Sequence, residues 1–92
     1  MTKADVIARI SSQTGLTKTD VRLVVEGFLD AVKYSLEKDD PLEIRGFGTF
    51  HVVSRAQRKA RNPRTGQEVI VPARKQPVFK PSRELKELIE ES

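Results

Sequence analysis

The sequence predicts an α+β fold: two N-terminal helices, a three-stranded antiparallel sheet extended into a protruding β-ribbon arm, and a short C-terminal helix. Three observations lead there. Apolar residues recur at helical spacing over the first 36 positions. A Gly46-Phe47-Gly48 turn is then flanked by short β-rich runs. Beyond these lies a basic stretch with turn chemistry at its centre and no large apolar side chain in its outgoing half, residues 54–61.

The first helix opens at Thr2, with Asp5 at the third helical position in the manner of a capping box. It carries Val6, Ile7 and Ile10 on its apolar side and ends near Gly15, which suits a left-handed cap. Thr17 and Asp20 repeat the capping pattern for a second helix over about residues 18–38. At both starts the preceding apolar residue, Met1 or Leu16, is placed to staple onto Val6 or Val21. Val21, Val24, Val25, Phe28, Leu29, Val32 and Leu36 form a stripe too wide for the rest of a small chain to cover, which implies a second subunit. Asp39-Asp40-Pro41 stops this helix.

Residues 42–45 read as a short strand and residues 49–53 as a second, with Phe50 and Val52 on one face. The second strand is expected to run on unbroken to Arg61. Residues 68–71 begin the return, and Pro72 within the returning strand points to an edge position or a bulge. Val78 and Phe79 re-enter the core, and Ser82 caps a last helix that buries Leu85, Leu88 and Ile89.

Ninety-two residues make one domain. Its expected parts are a helical dimerisation base (1–40), a sheet with its arm (41–80) and a C-terminal helix (81–92). A chain of this size buries only ~60–65% of its unfolded surface and gains from a partner. The absence of Cys removes disulfides and thiolate chemistry, and the single His51 cannot build a metal site or a triad. No apolar run approaches a membrane span and no apolar signal core opens the chain, so a cytosolic protein without membrane or small-molecule partner is expected. Asp39-Asp40 reads as a cap and turn, Gly46-Phe47-Gly48 as a turn without the helix and Lys of a phosphate loop, and nothing supports catalysis or a cofactor.

The charge is segregated. Residues 1–50 hold 7 basic and 8 acidic side chains, residues 51–80 hold 8 and 1, and residues 81–92 hold 2 and 4. The whole excess, +4 for the chain, thus lies in the segment that has no core to bury, the footprint of a polyanion-binding element. Asn62-Pro63-Arg64-Thr65-Gly66 is turn chemistry throughout. A strand from Phe50 to Arg61 extends ~40 Å, against a radius of gyration of ~12 Å for a compact chain of this length, so the ribbon projects. Arg55, Arg58, Lys59, Arg61, Arg64, Arg74 and Lys75 lie on it opposite one acid, Glu68. No aromatic residue interleaves them, which favours groove tracking on duplex DNA over base stacking on single strands. For Pro63 two readings stay open: a preset turn dihedral, or a rigid apolar wedge between base pairs.

The Gly-Phe-Gly-Thr-Phe run at 46–50, then Arg55, Arg58 and Arg61-Asn62-Pro63, Thr65-Gly66 and Pro77-Val78-Phe79, resemble the HU / integration host factor family of bacterial DNA-bending proteins over essentially the whole chain. The resemblance implies an obligate intertwined dimer whose β-ribbon arms enter minor grooves, in a bacterial, nucleoid-associated protein. It implies Pro63 as the wedge; Arg55, Arg58, Arg61 and Asn62 as arm contacts; Lys80, Arg83 and Lys86 as phosphate contacts on the body; and Lys3 near a further one. Phe47, Phe50 and Phe79 match its core aromatics. Lys59-Ala60 departs from the family's usual Thr-Gly, stiffening the arm while adding charge, and Gln76 replaces a usual apolar residue. Residues 43–46 and 79–81 look closer to integration host factor than to HU, which leaves homodimer and heterodimer, and nonspecific and site-selective binding, both open. The rivals are a basic RNA-binding protein and a protein-interaction module with an exposed hairpin.

Overall fold

The structure, a computed structural model, describes residues 1–91. It divides into two compact units, Met1–Ser35 and Leu36–Ser92.

The first unit holds helix α1, Lys3–Thr14, and most of helix α2, Lys18–Glu37. The capping box at α1 forms in both directions: the Thr2 hydroxyl accepts from the Asp5 amide (3.2 Å), and the Asp5 carboxylate accepts from the Thr2 amide (2.9 Å). Accepting from the Thr2 backbone first, and from its hydroxyl second, holds the Asp5 carboxyl below its ordinary range. The α1–α2 corner is closed by Gly15, at φ 77°, and by Ser11 Oγ donating to the Leu16 carbonyl at 2.6 Å. Thr17 caps α2 by accepting from the Asp20 amide (3.1 Å). Ile7 and Val21 are almost fully buried, 3% and 2% exposed, and Val6, Ile10 and Val25 half-buried.

One expectation fails in these helices. Met1, expected to staple onto Val6, is 88% exposed. The α2 stripe, by contrast, is left largely uncovered by the chain, as its width implies: only Val21 and Val32 are buried, while Val24, Phe28 and Leu29 are exposed.

In the second unit α2 ends with Asp39 in the left-handed region (φ 55°), its amide donating to the Leu36 carbonyl at 3.1 Å. Strands β1 (Leu42–Ile44), β2 (Gly48–Arg55) and β5 (Arg74–Pro81) then form an antiparallel sheet in the order β1-β2-β5. Strands β3 (Arg58–Arg61) and β4 (Glu68–Val71) make a second, two-stranded sheet, and helix α3 spans Arg83–Glu90. The Phe79 ring lies between Phe47 (centroids 5.3 Å apart) and Phe50 (4.8 Å), an aromatic cluster that pins β5 to β2 and to the turn. Phe47 still shows much of its surface to solvent. The start of α3 is fixed from two sides: the Ser82 amide donates to the Phe47 carbonyl (2.8 Å) and the Ser82 hydroxyl accepts from the Leu85 amide (3.1 Å).

The buried face expected for α3 is not buried by this chain: Leu85 is half-covered, but Leu88 and Ile89 are 62% and 66% exposed. The strand expected to run unbroken to Arg61 is also interrupted, stopping after Arg55 and resuming at Arg58, while the return strand stops at Val71 and resumes at Arg74. Arg55 pairs with Arg74 on one side of the gap, and Arg58 with Val71 on the other. Each strand therefore skips two residues and the register is unchanged, so Pro72 makes no bulge but sits in a symmetric gap between β4 and β5, each an edge strand of its sheet, in keeping with the expected edge position. Two causes converge there: Pro72 has a fixed φ and no N–H to donate, and the last pair before the gap sets two guanidinium groups opposite each other.

Candidate nucleic-acid interface

The basic residues singled out in the sequence fall into separate groups. Arg55 and Arg74 close the inner sheet as cross-strand partners, with Lys75 one step further in, opposite Ser54. Arg58, Lys59 and Arg61 make up three of the four residues of β3, facing Val71, Ile70 and Glu68. By strand alternation Lys59 and Arg61 share one face of the ribbon, and Arg58 takes the other. Arg55, Arg58 and Arg74 come together around the gap, where they line a concavity of about 500 Å³ with Gln57, Pro72 and Gln76. No carboxylate lines it, and no ion pair forms on the ribbon among the described residues. Guanidinium groups crowded without counter-charges hold a standing attraction for phosphate.

At the tip, Asn62 closes the ladder by donating its amide to the Gln67 carbonyl (2.9 Å). The Gly66 amide donates to the Asn62 carbonyl (2.8 Å), and Gly66 takes φ 72°, a conformation that favours glycine. Pro63 and Arg64 stand exposed at this end.

Lys80, opposite Thr49, and Arg83, the first residue of α3, line a concavity of about 390 Å³. Arg45 joins them there, although sequence reasoning passed over it; its place beside the Gly46-Phe47-Gly48 turn was the available signal. The same wall carries Glu43 and Glu84, so this patch is less one-sided than the ribbon. Arg83 also spends its Nε on Glu87 at 3.0 Å. Lys86 lies exposed one turn along α3. In the first unit Lys3 pairs with Glu26 at 3.4 Å in a hollow shared with Lys18 and Arg22.

Among the described residues, no helix is long and apolar enough to cross a membrane, and no group of three or more His, Asp or Glu side chains is arranged to hold a metal ion.

The family model described as "Bacterial DNA-binding protein" matches residues 1–90. The chain belongs to this bacterial DNA-binding protein family. The HU protein of Geobacillus stearothermophilus is 40% identical over 89 residues, covering 97% of this chain and 99% of that protein. Integration host factor subunit alpha of Alcanivorax borkumensis is 37% identical over 90 residues, covering 98% and 90%. Among solved structures, an Anabaena HU–DNA cocrystal superposes with a TM-score of 0.86 at 25% identity, covering 97% of each chain. The α+β fold of three helices and an antiparallel sheet is thus that of HU, and the protein is a histone-like DNA-binding protein of HU and integration host factor type.

Proposed function

We propose that this family member is an architectural protein that binds duplex DNA in the minor groove with paired ribbon arms and bends it by inserting Pro63 between base steps. HU and integration host factor are themselves the standing examples of this mechanism, so the reading is carried by membership of their family together with one observation. The cations are concentrated, unpaired, on a slender two-stranded ribbon tipped by an exposed proline. In this reading Arg55, Arg58, Lys59, Arg61, Arg64, Arg74 and Lys75 follow the groove and its phosphate rows, and Lys80, Arg83, Lys86 and Lys3 take phosphates along the body. Two arms require two chains, and the exposed apolar side chains of α2 and α3 are the surface a second copy or a paralogous subunit covers. The expected setting is the bacterial nucleoid, where bent DNA is compacted or built into larger complexes.

The test is end-to-end energy transfer on a doubly labelled duplex, with binding followed separately by anisotropy. The protein is expected to raise transfer on saturation, and Pro63→Ala to lose most of that rise while keeping most of the affinity. A Pro63→Ala variant that bends as the parent does would refute the wedge, and tighter binding of duplex RNA than of duplex DNA would favour the RNA-binding rival.

A further inference from the structure

The family resemblance places Asn62 among the residues that touch DNA, yet in this structure both its backbone polar groups and its side-chain oxygen are already engaged. Its backbone amide donates to the Gln67 carbonyl at 2.9 Å, its backbone carbonyl accepts from the Gly66 amide at 2.8 Å, and its side-chain Oδ1 accepts from the Arg64 amide at 2.9 Å. The last bond bridges over Pro63 and makes an Asx turn, in which a side-chain oxygen closes the ring that a backbone carbonyl would otherwise close. Pro63 fixes its own φ and steers the preceding residue only broadly toward extended backbone, leaves its own ψ free, and has no N–H with which to anchor itself. The Asn62 side chain supplies that missing constraint. On the far side of the loop, the Thr65 hydroxyl accepts from the Gln67 amide at a longer 3.3 Å, so the shorter bonds of the tip meet at residue 62.

We infer that Asn62 is a positioning residue: its side chain sets the backbone on both sides of Pro63, so that the proline ring reaches DNA already held in one orientation. This rests on the wedge reading above. It also separates two jobs that the sequence leaves merged, since the carboxamide oxygen is spent inside the loop and acts on DNA through the neighbouring proline. The side chains that can substitute follow from the geometry. Ser keeps a short acceptor able to reach the amide two residues on, and Ala keeps none.

The experiment uses the full chain with Asn62→Ala, Asn62→Ser and Pro63→Ala, on the labelled duplex at saturation, with anisotropy for affinity. The temperature coefficient of the Arg64 amide proton, read by NMR in the free protein, reports whether the Asx bond is present. Insertion at one step kinks DNA by ~20–90° in proteins of this class, so Asn62→Ala is expected to remove roughly half or more of the transfer rise. Its affinity should fall by no more than about tenfold, the size of one hydrogen bond. Asn62→Ser should recover both the rise and the bonded Arg64 amide. If Pro63→Ala bends like the parent, the wedge reading fails and the role of Asn62 with it. If Pro63→Ala loses the bend while Asn62→Ala keeps it, the wedge stands and the positioning role is overturned. It is equally overturned if Asn62→Ser binds and bends as poorly as Asn62→Ala while its Arg64 amide stays bonded, since the carboxamide is then itself a DNA contact.

Discussion

At Gly48 the main chain of β2 lies close against β5, its neighbour in the sheet. A Cβ added there would lie 2.5 Å from the Phe79 ring and 2.6 Å from the Lys80 carbonyl oxygen. The ring has some freedom, but the carbonyl is held in the β2–β5 ladder opposite Thr49 and has none. Gly48→Ala is therefore expected to destabilise the fold by about 1–3 kcal/mol, the range for forcing extra volume into a packed site, as measured by urea unfolding. An unchanged midpoint would mean that the strands separate more easily than this geometry allows. The consequence reaches function, because the same carbonyl belongs to Lys80 and the adjoining turn fixes the start of α3 with Arg83. The glycine at the tip is a different case. Gly66 has open space around its missing Cβ and is required only by its positive φ.

The two sheets differ in what holds them. Strands β2 and β5 pair along eight residues each and are braced by the Phe47, Phe50 and Phe79 rings. Strands β3 and β4 pair along four, are exposed over most of both faces, and are separated from the inner sheet by the two-residue gap. A lone hairpin in water is marginal, so in the free protein the amides of residues 58–61 and 68–71 should exchange within about tenfold of unprotected rates. Those of the β2–β5 ladder should approach the protection of global unfolding. Duplex DNA should slow the arm amides selectively; equal protection of both sheets before DNA is added would show that the gap does not uncouple them. The gap was not legible in the sequence, and the reason is physical. Caps at Thr2, Thr17 and Ser82, the Asp39 stop and the Gly66 closure depend on residues within a few positions of one another, and all could be read. Breaking a ribbon depends on what stands opposite, and the facing of Arg55 by Arg74 is fixed only once the register is known. The basic ribbon itself was visible, because charge segregation survives any choice of register. The internal use of the Asn62 side chain was not, since Asn-Pro before Gly reads equally as a turn and as a contact.

Across the whole chain, the described apolar side chains that are buried are only Ile7, Val21 and Val32. That is too little core for a stable domain of this length, where a few kcal/mol separate folded from unfolded. The stripe on α2 supplies the missing surface if a second chain covers it, and Val24 separates the two cases. In the isolated chain Val24 is 70% exposed, so it contributes almost nothing to the core of its own subunit. Charging such a residue is ordinarily neutral to within about 0.5 kcal/mol. Buried under a partner without a cation to meet, the same carboxylate is expected to cost on the order of 3–5 kcal/mol, as unpaired buried charges do. Val24→Asp is thus expected to convert a dimer to monomer by analytical ultracentrifugation, to lower the melting temperature, and to abolish the rise of that temperature with protein concentration that coupled folding and association produce. DNA bending should be lost along with the dimer, since one arm cannot replace two. A variant that melts and sediments like the parent would place Val24 in solvent and rule out this face of α2 as a subunit contact.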